Sequence, residues 1–203
     1  MRVRELQHSP VLDVGAAQGM LGRSIQGTGL TIDGVEMNPA WARLARPYYR
    51  NVWASSIEAA PLPQKTYKLI VCADVLEHTA DPKSVLMRLR EAAADDAVFI
   101  ISVPNVAHLA VRMLLLLGRF PKMERGPLDC THLQFFTRDT ARDMVESAGL
   151  KVRRFQATGV PLDEIWKNGE GNLVYKAAIK TQHAALAVLP RLFGFQWIME
   201  ATA

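Results

Sequence analysis

The sequence predicts an α/β fold with a doubly wound, mostly parallel sheet of seven strands and helices on both faces. Strand-like and helix-like segments alternate from the first residues, which is typical of a parallel sheet covered by helices. The first apolar run breaks into a glycine turn, and the second ends in an acidic residue. A length of 203 residues suits one domain with its own buried core.

Four short apolar runs predict the first four strands. Gly27 and Gly29 are expected to end the first helix, Pro39 to begin the second, and Asp81 to cap the third. The predicted strands are residues 8–14, 30–36, 51–54 and 67–73, and the predicted helices are residues 20–26, 39–44 and 82–94.

The regular alternation lapses after Pro104 and resumes where Thr137 is expected to cap a helix that Gly149 ends. Between them, an apolar helix precedes a loop interrupted by glycine and proline. The predicted helices of this half are residues 106–117, 138–148 and 176–189, and the predicted strands are residues 97–103, 150–156 and 194–201.

We therefore expect one domain over residues 1–203, with a lid or substrate-binding insertion near 105–136. The leucines of the helix at 106–117 are expected to lie in the core or to form the lid, because a leucine stripe at helical spacing is usually buried. A surface for a lipid-like molecule is the third interpretation of that helix.

Composition excludes several classes of function. The net charge is +4, but lysines and arginines are scattered, so no strong nucleic-acid signal is present. Cys72 and Cys130 lack any CxxC spacing, so we expect free buried thiols and no metal site. No leader or apolar run long enough to span a membrane is found, which predicts a cytoplasmic protein. The sequence leaves the oligomeric state open.

A glycine turn and an acidic residue predict a nucleoside site. The apolar run that ends in Asp13 and Val14 leads into Gly15 and Gly19, where backbone amides can approach a ligand closely. The next strand-like run ends in Glu36. In a doubly wound sheet, an acid about 20 residues beyond a glycine turn accepts the hydroxyls of a ribose.

Four motifs resemble those of class I S-adenosylmethionine-dependent methyltransferases, in particular the group that includes ubiquinone-type O-methyltransferases. They are VLDVGAAQG at 11–19, VEMN at 35–38, DVLEH at 74–78 and GPLDCTHLQFFT at 126–137. The resemblance covers nearly the whole chain and implies a Rossmann-like methyltransferase fold with S-adenosylmethionine as the cofactor, leaving S-adenosylhomocysteine as product.

The resemblance also implies how the cofactor is held. The first motif would contact the amino-acid end of the cofactor, and the acid of the second motif would bind the ribose hydroxyls. The side chain after that acid and the tip of the third strand would contact the adenine. The end of the fourth strand would line the methionine side. The residues that match are Asp13, Gly15, Ala16, Gly19, Glu36, Met37, Ser56, Ile57, Ala73 and Asp74.

Three residues depart from the family's pattern. Ala17 stands where a second glycine is common, and its methyl group is tolerated only if its backbone keeps ordinary dihedral angles. Ser56 replaces an acid that usually meets the adenine amino group, which weakens that contact. Lys68 replaces an acid common at the start of the fourth strand.

The acceptor is expected to be a hydroxyl of a small molecule, a sugar or a lipid-like substrate. Transfer from a sulfonium needs alignment and exclusion of water, and a base only for a poorly ionised acceptor. His78 and His132 are the candidate bases, with packing or backbone bonding as the alternative role of each. Glu77 is either an acid partner for a histidine or a structural residue, and His108 is expected to be structural or solvent-facing.

Two other functions compete. A nicotinamide-dependent oxidoreductase would use the same crevice, but the turn from Gly15 to Gly22 lacks the G-x-G-x-x-G spacing that admits a pyrophosphate. A non-catalytic module that binds S-adenosylmethionine is compatible with Ala17 and Ser56, whereas Glu36 and the DVLEH segment favour an enzyme.

Overall fold

A computed structural model describes residues 2–162, 166 and 172–203. Within those residues, seven strands form one sheet in the order β3-β2-β1-β4-β5-β7-β6. The first five are parallel, and β7 runs antiparallel between β5 and β6. The strands are β1 (Val11–Val14), β2 (Ile32–Val35), β3 (Asn51–Trp53), β4 (Tyr67–Ala73), β5 (Ala93–Pro104), β6 (Lys151–Thr158) and β7 (Gln196–Thr202).

Eight α-helices lie within the described residues. They are α1 (Arg2–Leu6), α2 (Met20–Ser24), α3 (Pro39–Ala45), α4 (Pro82–Ala92), α5 (Leu109–Leu116), α6 (Arg138–Ser147), α7 (Leu173–Val188) and α8 (Pro190–Phe193). Short 3-10 turns follow α3 at Arg46–Tyr48 and β4 at Leu76–His78. The predicted doubly wound, mostly parallel sheet of seven strands is confirmed. The short helix α1 was not predicted.

Alternate residues along the strands belong to two different hydrophobic clusters. Val11, Leu69 and Ile100 belong to a cluster with Val3 of α1, whereas their neighbours along the strands pack with α4 and α6 in a larger cluster. A strand sends successive side chains to opposite faces. Continuous apolar runs in the sequence therefore correspond to strands that are buried on both faces.

Helix α5 is shorter and more exposed than expected. It begins after His108, whose Nδ1 accepts a hydrogen bond from the amide of Ala110 at 3.2 Å, so of the two roles expected for His108, structural or solvent-facing, the structural one is observed. Val111 is its only buried residue, and Leu116 is 79% exposed. The expected burial of its leucines in the core is therefore wrong. None of the described helices combines the length and the apolarity that a membrane span requires.

The two cysteines differ in environment. Both are free; Cys72 lies in the core of β4, where burial raises the pKa of its thiol, whereas Cys130 is exposed. The expectation of two buried thiols is correct for Cys72 and wrong for Cys130, which lies on the surface of the 105–136 segment.

A buried carboxylate on β2 connects β3 and β4, the strands on either side of the β2–β1 pair. Asp33 of β2 is 1% exposed and accepts hydrogen bonds from Arg50 Nε at 3.0 Å and Tyr67 Oη at 2.9 Å. Asn51 adds its backbone and side-chain amides, both at 3.1 Å. Burial alone would raise the pKa of Asp33, but the bonds from Arg50 and Tyr67 outweigh it, and the pKa is lowered overall.

Tyr67→Phe should lower the free energy of unfolding at neutral pH by about 1.5–3 kcal/mol, because it removes a donor from a buried charge. The lowered pKa of Asp33 stabilises the fold above the unfolded pKa, about 3.9 for aspartate, and that stabilisation is lost as pH falls through the folded pKa. The penalty measured by urea unfolding should therefore shrink in acid.

Tyr48→Phe is the matched control, because the hydroxyl of Tyr48 makes no hydrogen bond within the described part of the chain and its ring faces Arg23. It should change stability by less than about 0.5 kcal/mol. Equal effects of the two substitutions at pH 7 would contradict the role of the Asp33 network.

Candidate active site

The turn after β1 has left-handed backbone at three positions. The φ angles of Gly15, Ala17 and Gly19 are 75°, 46° and 85°. A Cβ at Gly15 would lie 2.5 Å from Cγ2 of Val75, and one at Gly19 would lie 2.9 Å from Cα of Ala45. Glycine is therefore required at both positions by backbone conformation and by space. The turns after β1 and β4 touch at Gly15, at the point where the strand order reverses and ligands enter doubly wound sheets.

Glu36 connects this turn to the end of β2. Its side chain is buried, with Oε2 accepting the amide of Ala17 at 2.8 Å and Oε1 accepting the amide of Asn38 at 2.7 Å. A carboxylate has about four lone-pair sites, so about two remain for further donors. Two free acceptor sites at a strand end match the two hydroxyls of a ribose, and the residues here fit the adenosine part of S-adenosylmethionine.

Ala17 does not keep the ordinary dihedral angles that its methyl group was expected to require. Its φ of 46° is left-handed, which costs an L-residue roughly 1–2 kcal/mol. The bond from its amide to Glu36 is the interaction that offsets this cost. The turn thus keeps the shape of a glycine turn although one glycine is replaced.

Asp13 acts on the turn through a tyrosine. Its carboxylate is 5% exposed and accepts from Tyr49 Oη at 2.5 Å, and the same hydroxyl accepts the amide of Gly22 in α2 at 3.1 Å. Burial raises the pKa of Asp13 to about 7, against the bond from Tyr49, and the charge of Glu36 raises it further. Asp13 therefore positions α2 behind the turn.

The other candidate cofactor residues lie at the ends of β1 to β4. Met37 is 73% exposed beside Glu36, and Ser56 is half-buried. Ala16 and Ile57 are buried, so their contacts with a ligand would come from the backbone. Ala73 and Asp74 are exposed at the end of β4. These positions form one edge of the sheet, as the sequence predicts.

A cavity of about 810 Å³ begins at Asp74. Gln196 Nε2 of β7 donates to both oxygens of Asp74, at 2.8 and 2.9 Å, and Ser102 Oγ donates to one at 3.1 Å. The contact between Asp74 and Gln196 could not be predicted from the sequence, because the two residues are 122 positions apart. The cavity is lined by Asp74, Glu77, His78, Pro104, Arg125, Gly126, Asp129, His132, Thr158, Gly159, Val160, Pro161, Phe195 and Gln196.

Residues 105–136, expected to form a lid or substrate insertion, supply one wall of this cavity. The segment closes on itself at a bridge between Asn105 and Phe136. Its second half is held to the end of β4, because the amides of Leu133 and Gln134 donate to the carbonyl of Glu77 at 2.8 and 3.0 Å.

His78 and His132, the candidate bases, lie together in the cavity wall. Their ring centroids are 4.9 Å apart in an edge-to-face arrangement. His78 Nδ1 lies 3.3 Å from the carbonyl oxygen of Thr131 and 3.2 Å from its hydroxyl, so His78 also has the backbone contact considered as its alternative role. Burial lowers the pKa of His132, and the nearby His78 lowers it further.

Glu77, expected to be an acid partner of a histidine or a structural residue, is a buried acid beside both imidazoles. Ligand atoms of Glu77, His78 and His132 all lie within 4.8 Å of one another. Thr131 and Asp129, which sequence reasoning did not single out, extend this group: Thr131 Oγ1 donates to Asp129 Oδ1 at 2.6 Å. Their place within the 126–137 motif was the available signal.

Ala17→Gly should raise the free energy of unfolding by about 1 kcal/mol, because glycine adopts left-handed backbone without steric cost. Ala16→Gly, the adjacent control, should lower the free energy of unfolding by about 1 kcal/mol. Glycine loses more backbone freedom on folding at a position of ordinary φ, and the substitution removes a buried methyl group. Urea unfolding at one pH measures both. If Ala17→Gly is no more stable than the wild type, the left-handed backbone at Ala17 is not strained.

Known proteins share this fold and sequence pattern. A profile of the methyltransferase domain matches residues 3–154. The ubiquinone biosynthesis O-methyltransferase of Aeromonas salmonicida is 27% identical over 172 residues, which cover 79% of this chain and 71% of that protein. A crystal structure of an S-adenosylmethionine-dependent methyltransferase from Archaeoglobus fulgidus superposes with a TM-score of 0.67 at 18% identity, covering 100% of this chain and 91% of the other.

The cyclase SpnF also shares the fold, with a TM-score of 0.63 at 13% identity over 99% of this chain and 80% of its own. At such identities, structural likeness shows the fold alone. The family follows instead from the profile match over residues 3–154, together with the turn and the acid that fit the cofactor. The chain belongs to the methyltransferase-domain family and is a class I methyltransferase that uses S-adenosylmethionine.

Proposed function

We propose that the protein transfers the methyl group of S-adenosylmethionine to a hydroxyl oxygen of an acceptor bound in the 810 Å³ cavity. The observation that carries this proposal is Asp74, which stands at the methionine end of the proposed cofactor crevice and also lines the cavity. A molecule in the cavity would therefore face the reacting methyl group.

The cavity wall favours a hydroxyl acceptor. A hydroxyl is poorly ionised at neutral pH, so its attack benefits from a group that receives its proton. His132, whose pKa is lowered by burial, is a neutral base at that pH, and His78 adjoins it. The relative that this chain resembles over 172 residues is an O-methyltransferase, which supports oxygen as the atom that is methylated.

In this mechanism, the bound cofactor supplies an electrophilic methyl group on a sulfonium. Glu36 would hold the ribose, and the glycine turn and Asp74 would orient the methionine end toward the cavity. The 105–136 segment excludes water from the cavity. Alignment of the reactants and exclusion of water supply much of the acceleration in methyl transfer. His132 receives the hydroxyl proton, and His78 keeps the imidazole in place.

Small aromatic or sugar hydroxyls fit the cavity, and a lipid-like acceptor is favoured by one further observation. Leu115, Leu116 and Leu117 at the end of α5 are each at least half exposed, and Phe120 is 49% exposed nearby in the chain. Exposed apolar patches commonly contact lipids or other proteins. A hydrophobic acceptor tail could lie along this surface.

Glu36→Gln should weaken S-adenosylhomocysteine binding at least ten-fold. The side-chain amide would place a donor against the backbone N–H of Ala17 or Asn38, which is also a donor, and would present that donor to the ribose in place of an acceptor. Glu58→Gln, an exposed acid in the loop after β3, should bind like the wild type. Isothermal titration calorimetry measures both, with thermal unfolding as the check on folding. No binding by the wild type would contradict the cofactor site.

Wild-type protein given methyl-labelled S-adenosylmethionine should label a hydroxyl oxygen in a panel of catechols, sugars and prenylated phenols. Product mass and fragmentation identify the methylated atom. Labelling of amines alone would contradict the proposed acceptor class, and cofactor binding without transfer to any panel member would favour a non-catalytic module. Prenylated phenols that react only in detergent or vesicles would favour the lipid-like acceptor.

A further inference from the structure

Asp74, the residue after β4, has left-handed backbone. Its φ angle is 54°, in a region that few residues other than glycine adopt, although aspartate and asparagine adopt it more readily than most. Such backbone persists where the surrounding structure holds it, and it clusters at binding sites. Asp74 is exposed, so close packing of its side chain does not explain this conformation.

Hydrogen bonds from two strands hold Asp74 in place. Its amide donates to the carbonyl of Ser102 in β5 at 3.2 Å, and Ser102 Oγ donates to Oδ1 at 3.1 Å. Gln196 Nε2 donates to Oδ1 at 2.8 Å and to Oδ2 at 2.9 Å. A carboxylate only accepts, so the amide nitrogen of Gln196, and not its oxygen, faces Asp74.

Gln196 is itself fixed by its neighbours at the start of β7. The amide of Phe195 donates to the carbonyl of Thr158 at 2.7 Å, and the carbonyl of Phe195 accepts from the amide of Asn105 at 2.9 Å. Asn105 is fully buried and also donates from Nδ2 to the carbonyl of Gly194 at 2.7 Å. Gln196 is therefore a preorganised donor, held before any ligand binds.

The conformation of Asp74 determines where the next residue lies. Val75 follows Asp74 in the turn, and its Cγ2 lies 2.5 Å from the position that a Cβ would take on Gly15. A change in the φ angle of Asp74 would move Val75 relative to the glycine turn. The distance between the turns after β1 and β4 therefore depends on Asp74.

The carboxylate of Asp74 has little capacity left for a ligand. Its oxygens accept three hydrogen bonds from Gln196 and Ser102, and a carboxylate has about four lone-pair sites. Glu36, by contrast, accepts two and has about two sites free. The side chain of Asp74 thus serves mainly to fix its own backbone.

We propose that Gln196 is a positioning residue for S-adenosylmethionine, which holds Asp74 in left-handed backbone and so sets the turn after β4 against Gly15. The antiparallel strand β7 would then shape the methionine end of the cofactor crevice through a residue 122 positions from Asp74. This role concerns cofactor binding and does not depend on the hydroxyl acceptor of the proposed function.

The first test exchanges the donor and the acceptor of the pair. Gln196→Glu should weaken S-adenosylhomocysteine binding at least about ten-fold, because two carboxylates then face each other. Adding Asp74→Asn to that variant should restore at least about five-fold of the affinity, because the asparagine amide donates to the new carboxylate. Asparagine also tolerates left-handed backbone. Isothermal titration calorimetry measures both.

The second test removes the need for a positioning residue. Gln196→Met keeps the approximate shape of the side chain and removes its donor, and it should weaken binding about five-fold in the wild-type background. In an Asp74→Gly background the same substitution should change affinity less than about two-fold, because glycine adopts left-handed backbone unaided. A purely structural role of Gln196 would give the same loss in both backgrounds.

Gln156→Met is the matched control, because Gln156 is exposed on the neighbouring strand β6 and does not line the cavity. It should bind S-adenosylhomocysteine like the wild type. Thermal unfolding checks that each variant folds. If Gln196→Glu does not fold, the two measurements of Gln196→Met decide.

Three results would overturn the role of Gln196. They are wild-type affinity in Gln196→Glu, no recovery on adding Asp74→Asn, and equal effects of Gln196→Met in the two backgrounds. Binding by the wild type together with any of these would leave the cofactor site and the proposed methyl transfer standing. Conversely, failure to methylate any hydroxyl would refute the proposed acceptor and leave the role of Gln196 intact.

Discussion

The two hydrogen bonds accepted by Glu36 are the interaction on which the site depends. They join the turn after β1 to the turn after β2, with distances of 2.8 Å to the amide of Ala17 and 2.7 Å to that of Asn38. The first offsets the cost of left-handed backbone at Ala17, and the carboxylate retains about two free acceptor sites. The candidate cofactor crevice is therefore preorganised by one buried acid.

Much of the fold, and the position of the candidate cofactor residues at one end of the sheet, could be predicted from the sequence. Continuous apolar runs located the parallel strands, and β4 has the predicted bounds Tyr67–Ala73. The position of β7 between β5 and β6 could not be predicted, because antiparallel pairing at a sheet edge depends on contacts between distant segments. The choice between core, lid and exposed surface for the leucines of α5 could not be made for a related reason: periodicity indicates an apolar face, but only tertiary structure shows whether another element covers it.

The acceptor side was less predictable than the cofactor side. The DVLEH motif located Glu77 and His78, yet nothing local indicated that Glu77 is buried and that its carboxyl has no hydrogen-bond partner among the residues the structure describes. That environment is created when the 126–137 motif folds onto the end of β4 and brings Thr131 and His132 beside it. Two motifs that are far apart in the sequence thus form one chemical group, in which a carboxyl and two imidazoles line a cavity together with Asp74.

The most direct measurement is a crystal structure of the protein with S-adenosylhomocysteine bound. We expect both ribose hydroxyls within hydrogen-bonding distance of Glu36 and the sulfur beside Asp74, facing the cavity that contains Glu77, His78 and His132. A ribose held elsewhere, or a sulfur directed away from that cavity, would contradict the arrangement in which one edge of the sheet presents the methyl group to an acceptor.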